Sequence, residues 1–142
     1  TVVTSIINAL VKKGYSVSSA KSIHIEDFSL EREGTDTFKH HASGAERVGL
    51  VYPKGKAILY YDQSDEELLN NFESDYLILE GFREYKCPKI LCARDEEDLI
   101  NDLRDEVFCI SGIISNEISE YKGMPVINYQ QVGKIIEIIE KL

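Results

Sequence analysis

The chain has 142 residues and carries 25 acidic against 16 basic side chains, a net charge of -9. With 43% hydrophobic and 29% charged residues it reads as one ordinary globular domain. So acidic a surface repels phosphodiester backbones and anionic lipid, which argues against nucleic-acid and membrane-surface binding. A single nucleotide remains open, because glycines, a lysine and Mg²⁺ can hold one locally whatever the net charge.

The first residues, TVVTSIINALVKKGY, space Val2, Val3, Ile6, Ile7, Leu10 and Val11 along one helical face. Lys12, Lys13 and Gly14 end that helix. The chain opens inside it, with no expected cap and no preceding strand. Residues 15–23 alternate as a strand, and 24–34 are a polar loop. Residues 35–45 predict a short helix with Thr35 or Asp36 as N-cap and Gly44 as its stop. Two strands, ERVGLVYP and KAILYYD, meet at a turn over Pro53 to Gly55. Ser64 stands three residues before Glu67, a capping box that opens a helix over 64–72. The apolar run at 75–82 ends in Glu80–Gly81 and has the pattern of a strand buried on both faces. Further strands are expected at 87–93, 106–114 and 124–129, with helices at 95–105 and 130–142. Strands alternating with helices predict an α/β fold with a mixed, mostly parallel sheet.

Three features of this layout could carry chemistry. Glu80 and Gly81 sit where open α/β sheets bind ligands, at the carboxyl end of a strand. A carboxylate there can take Mg²⁺, and the glycine leaves room for phosphate. Lys21, at the end of the first strand, can neutralise phosphate. The segment from His24 to His41 gathers Asp27, Glu31 and Asp36 with His24 and the adjacent His40 and His41, but has no zinc spacing. His40 and His41 point about 100° apart on a helix and cannot easily share an ion; His41 reads as a solvated helix residue. Cys87, Cys92 and Cys109 are odd in number, so they read as buried, reduced, inert thiols of a cytoplasmic protein. No apolar run approaches the roughly 20 residues of a membrane span.

The order of these features resembles the MobB family, small P-loop GTP-binding proteins of molybdopterin guanine dinucleotide biosynthesis. The resemblance rests on Lys21, His24, Gly34, Asp36, Thr37, Phe38, Gly44, Ala45, Glu80, Gly81, Phe82 and Lys89. GTDTFKHHASGA together with LEGF is the specific part, and beyond about residue 91 only the general layout matches. The resemblance implies a three-layer P-loop NTPase-like fold, homodimerisation, and binding of GTP with Mg²⁺. It implies partnership with a MobA-type nucleotidyltransferase that attaches GMP to molybdopterin, and at most weak GTPase activity. Carried onto this chain, it makes Thr1, Lys21 and Gly81 nucleotide-binding residues and Glu80 the Mg²⁺ ligand. His24, Asp27, Gly34, Asp36 and Thr37 become contacts to pterin or phosphate.

The chain departs from the family pattern in several places. Lys21 is followed by Ser22 rather than histidine, the loop acid is Glu31, and Lys39 follows the helix aromatic. Ser111, Gly112 and Ser115 stand where an acid could read guanine, so GTP is not favoured over ATP locally. TVVTSIINAL corresponds to the helix after a Walker A lysine, with Thr1 as the loop's second threonine. The first strand and its phosphate loop are therefore expected upstream of Thr1, and without that strand two sheet edges are expected to be unpaired. On the residues alone two other readings stay open: a non-catalytic interaction module on a degenerate P-loop fold, or another small P-loop ATP- or GTP-dependent enzyme.

Overall fold

The computed structural model describes Thr1–Leu142 and divides into two compact units. One comprises Thr1–Ser22 with Ser74–Leu142, the other Ile23–Glu73.

The larger unit is built from α1 (Val2–Lys12), β1 (Val17–Lys21), β4 (Tyr76–Glu80), β5 (Lys89–Ala93), α4 (Glu96–Asp102), β6 (Val107–Gly112), β7 (Glu120–Tyr121), β8 (Met124–Pro125) and α5 (Val132–Ile139). β1 pairs with β4 and β5 with β6, both parallel, as the alternation of strands and helices predicts. β7 and β8 form a small antiparallel hairpin. β1, β4 and β5 have no strand partner beyond these pairs, so each has an unpaired edge.

The apolar spacing of α1 buries Ile6 and Leu10 against Ile135 and Ile136 of α5, with Cys109 and Ile127 completing the cluster. Beyond the core, Glu140 accepts from Lys13 Nζ at 2.8 Å and from Tyr15 OH at 3.0 Å, tying the ends of the two helices together. A second cluster gathers Ala93, Leu99, Val107, Ile110, Ile114 and Val126. β6 thus contributes to both clusters. A register shift against β5 between Lys89 and Ile90 pairs Lys89 with Val107 and Ile90 with Cys109. Phe108 is the extra residue of that bulge, so Val107 joins the cluster of Ile110 while Cys109 joins the other.

The doubly buried strand is therefore β6, not β4. The apolar run at 75–82 was expected to be covered on both faces, yet every residue of Tyr76–Leu79 is only half-buried. Its one strand neighbour is β1, so its other edge is uncovered. The strand expected over 124–129 shrinks to Met124–Pro125. Val126 then makes a single parallel bridge to Ile110, and Tyr129–Gln131 is a 3₁₀ turn. The β7 partner was not read from the sequence; a two-residue strand is too short to show alternation.

The smaller unit holds α2 (Asp36–Ala42), β2 (Arg47–Tyr52), β3 (Gly55–Tyr60) and α3 (Asp65–Leu69). β2 and β3 form a hairpin closed by Pro53–Lys54, with Tyr52 opposite Gly55. The expected caps are present. Thr35 accepts from Phe38 N–H, and Ser64 and Glu67 form a reciprocal capping box. Gly44, at φ 102°, ends α2 as expected. Only Val48 and Leu69 of this unit are buried, while Leu30, Val51 and Ile58 stand exposed.

Candidate functional site

β1 and β4 run parallel in register, Val17 opposite Tyr76 through to Lys21 opposite Glu80. At their amino ends Asp75 Oδ2 accepts from Ser16 N–H at 2.8 Å and from Ser16 Oγ at 2.7 Å. Asp75 N–H returns a bond to Ser16 Oγ at 2.9 Å. These bonds hold the Asp75 carboxyl below its usual range. They also fix the register that aligns the other ends. There Lys21 Nζ lies 3.0 Å from Glu80 Oε1, both side chains about half-exposed. So the two residues selected separately from the sequence form one ion pair at the carboxyl ends of adjacent parallel strands. An exposed pair of this kind adds little stability, so its charges are available for other partners.

Gly81 follows at φ 87°. A Cβ built there would stand 2.8 Å from the Ser22 carbonyl oxygen. Ser22 N–H meanwhile donates to the Glu80 carbonyl at 2.9 Å, carrying the ladder one residue past β1. The glycine is thus already required by the close approach of the two chains. Just beyond it, Lys89 Nζ donates to the Arg83 carbonyl at 2.7 Å, binding the EGF turn to the start of β5.

Thr1 does cap α1, against the uncapped start expected. Its Oγ1 accepts from Thr4 N–H at 3.4 Å, and Thr4 Oγ1 donates to the Thr1 carbonyl at 3.0 Å. Thr1 therefore sits at the amide-donor end of an 11-residue helix.

In the smaller unit His24, Asp27, Gly34 and Asp36 are exposed and Thr37 is half-buried. His24, Asp27 and Gly34 lie in the segment before α2. Asp36 and Thr37 occupy its first turn, Asp36 3.6 Å from Lys39 Nζ and Thr37 Oγ1 3.3 Å from Thr35 Oγ1. His41 is not simply solvated: its ring stacks on Tyr61 with centroids 3.4 Å apart and planes 10° apart. Tyr61 OH in turn donates to Glu31 Oε2 at 2.6 Å. Burial and that bond push the Tyr61 hydroxyl up to about 12. The sequence offers Glu31 as the nearest loop acid and as a member of a possible metal cluster, but does not single out Tyr61, since neither its neighbours nor its spacing distinguish it from Tyr60.

Across the chain no three His, Cys, Asp or Glu side chains gather into a metal-holding group. Cys109 is buried as expected, its thiol raised to about 11 by desolvation. Cys92, by contrast, is exposed and Cys87 half-buried. β5 has an unpaired edge, and Cys87 lies in the loop before it. No helix is long and apolar enough to cross a membrane.

The family model for MobB, molybdopterin guanine dinucleotide synthesis protein B, matches residues 1–114. A relative from Methanocaldococcus jannaschii, described as a putative molybdopterin-guanine dinucleotide biosynthesis adapter protein, is 31% identical over 87 residues. That match covers 54% of this chain and 37% of the relative, so the chain spans little more than a third of its length. The Bacillus subtilis MobB structure superposes with a TM-score of 0.75 at 20% identity, covering 99% of this chain and 88% of the other. A MobB homolog from Bacillus stearothermophilus superposes with a TM-score of 0.63 at 14% identity, covering 97% and 84%. The fold is thus the α/β, P-loop NTPase-like fold of these proteins, and the chain belongs to the MobB family of molybdopterin guanine dinucleotide synthesis.

Proposed function

We propose that this chain is a GTP-binding accessory protein that assists attachment of GMP to molybdopterin. The observation that carries the reading is the register pairing of Lys21 with Glu80 at the carboxyl ends of β1 and β4. Ligands of open α/β sheets bind at such ends.

Mg²⁺ fits the donor present. It needs one or two carboxylates and fills its remaining positions with water and phosphate oxygens, and Glu80 is a half-exposed carboxylate. When bound, the ion supplies charge neutralisation to the triphosphate. Lys21 exchanges its bond to Glu80 for a phosphate oxygen, and Thr1 lends the amide end of α1. Gly81 keeps the backbone close and free of a side chain. His24, Asp27, Gly34, Asp36 and Thr37 offer contacts to the pterin or its phosphate.

The partners of such a protein are molybdopterin or its guanine dinucleotide and a MobA-type nucleotidyltransferase, in the cytoplasm, with neither nucleic acid nor membrane involved. The uncovered face of the hairpin, where Val51 is 80% and Ile58 58% exposed, suits pairing with a second copy. The role is holding and presenting nucleotide, with at most weak GTPase activity.

Calorimetry of GTP with Mg²⁺ tests this. Glu80→Gln is expected to weaken binding at least tenfold, and competition between GTP and ATP separates this reading from an ATP-dependent enzyme. Unchanged affinity in Glu80→Gln would overturn the assignment.

A further inference from the structure

Two shielded side-chain oxygens lack a hydrogen-bond partner, Glu31 Oε1 and Gln63 Oε1. Both belong to the smaller unit, and each residue lines a depression in it. The first depression, about 260 Å³, is walled by Phe28, Leu30, Glu31 and Tyr61. The second, about 210 Å³, is walled by Ile58, Gln63, Asp65 and Leu68. Leu59 and Tyr60 line both, so the two adjoin. Drug-sized ligands occupy roughly 300–1,000 Å³, so each depression suits a single side chain better than a whole small molecule.

Both orphaned atoms are acceptors, and no lysine or arginine lines either depression. A shielded acceptor without a donor is costly, and a donor that reaches it removes the cost. Glu31 Oε2 is already taken by the Tyr61 hydroxyl at 2.6 Å. The terminal torsion of a glutamate is soft, so Oε1 can turn toward a donor that enters. Local charge sets the sign of that donor. Ile23–Glu73 carries eleven acidic against five basic side chains, and Asp65 joins Gln63 in the second lining. Such a surface repels anions and attracts cations.

The walls narrow the kind of cation. Leu30 is 73% and Ile58 58% exposed, and Phe28 also stands open. A bare ammonium or metal ion would leave that apolar surface in water. Lysine and arginine lay a methylene stem along such a surface while the charged head reaches a polar group. Arginine adds a planar head that stacks on rings and presents several N–H groups to one carboxylate. Tyr60, common to both walls, already carries one guanidinium: Arg47 Cζ lies 5.3 Å from its ring centroid. Arg47 nevertheless leaves Glu31 Oε1 without a partner.

We propose that these two depressions dock a basic segment of a protein partner, with an arginine against Glu31 and a second basic side chain against Gln63 and Asp65. The partner supplies the two donors that the smaller unit lacks, and its apolar stems cover Phe28, Leu30 and Ile58. Docking of this kind requires no nucleotide and does not involve the Lys21–Glu80 pair.

The test titrates the whole chain, without nucleotide, with capped peptides that carry two arginines and alanine spacers of increasing length. Calorimetry gives the affinity, and ring NMR follows Tyr60 and Tyr61. The best peptide is expected to bind about tenfold more tightly than its citrulline counterpart, which keeps the shape and loses the charge. Glu31→Gln should lose about tenfold and Gln63→Leu about threefold. Glu33, an exposed acid outside both linings, is the charge-matched control, and Glu33→Gln should lose less than about twofold. Shifts of the Tyr60 and Tyr61 rings in wild type place the peptide without recourse to a variant. Equal losses in Glu31→Gln and Glu33→Gln would overturn the proposal by showing diffuse charge attraction alone. Spermidine binding as tightly as the best peptide would overturn it in favour of a free polyamine. Citrulline peptides that bind equally well, or no ring shift with any peptide at millimolar concentration, would also refute it.

Discussion

Replacing Gly81 with alanine separates two reasons for a glycine at that position. The sequence reads the residue as room for a phosphate, whereas the structure places its α-carbon against the Ser22 carbonyl. A Cβ there would stand 2.8 Å from that oxygen, at φ 87°. Gly14 is a matched control in the same unit, at φ 95° with nothing within 4 Å of its built Cβ. Both alanines bear the left-handed penalty of about 1–2 kcal/mol. Both also gain about 0.4–1 kcal/mol from a less flexible unfolded chain. These contributions cancel in the comparison, leaving the backbone displacement at Ser22, about 1–3 kcal/mol by analogy with overpacking. At about 4 °C per kcal/mol for a chain of this size, Gly81→Ala should melt about 4–12 °C below Gly14→Ala. Differential scanning fluorimetry without nucleotide measures it. If the two variants melt within about 2 °C of each other, the close-approach argument is wrong. The glycine would then matter only once phosphate is bound.

The acid limb of stability should depend on Asp98. Arg94 grips its carboxylate through Nε at 2.9 Å and Nη2 at 2.8 Å, lowering it from 3.8 to about 2. A depressed folded value gives stability that is complete above about pH 4 and is lost as pH falls toward 2. Asp98→Asn should flatten the melting temperature over that window; an unchanged slope would show that the pair is not populated. Tyr61 should titrate near 12 in the folded protein and fall toward 10 in Glu31→Gln, followed by ring NMR. Here the sign is reversed: the contribution is complete below pH 10 and is lost as pH rises through 12. A Tyr61 that titrates near 10 in wild type would contradict its hydrogen bond to Glu31.

Local chemistry was legible because it is local. Thr35, Gly44 and the Ser64–Glu67 pair act within one helical turn, so their roles were readable from spacing. The 3.6-residue spacing of Ile6 and Leu10 likewise announced their burial. The placement of Glu80 at a strand's carboxyl end followed from the apolar run before it. Burial of that run did not follow: an apolar sequence records what a strand can bury, not whether a neighbour arrives. β6 takes the doubly covered position because α1, α4 and α5 pack around it, and its bulge at Phe108 is a feature of pairing with β5.

By itself the sequence determined the α/β class, the caps and stops of the short helices, and the family. All of these depend on residue type at short or fixed spacing. Only the tertiary structure decided that Lys21 meets Glu80, 59 positions away, and that Gly81 is held by Ser22. It alone stacked His41 on Tyr61 and set Tyr61 against Glu31. Those contacts depend on strand register and on loop paths closing at a distance, and no pattern within a single segment encodes them.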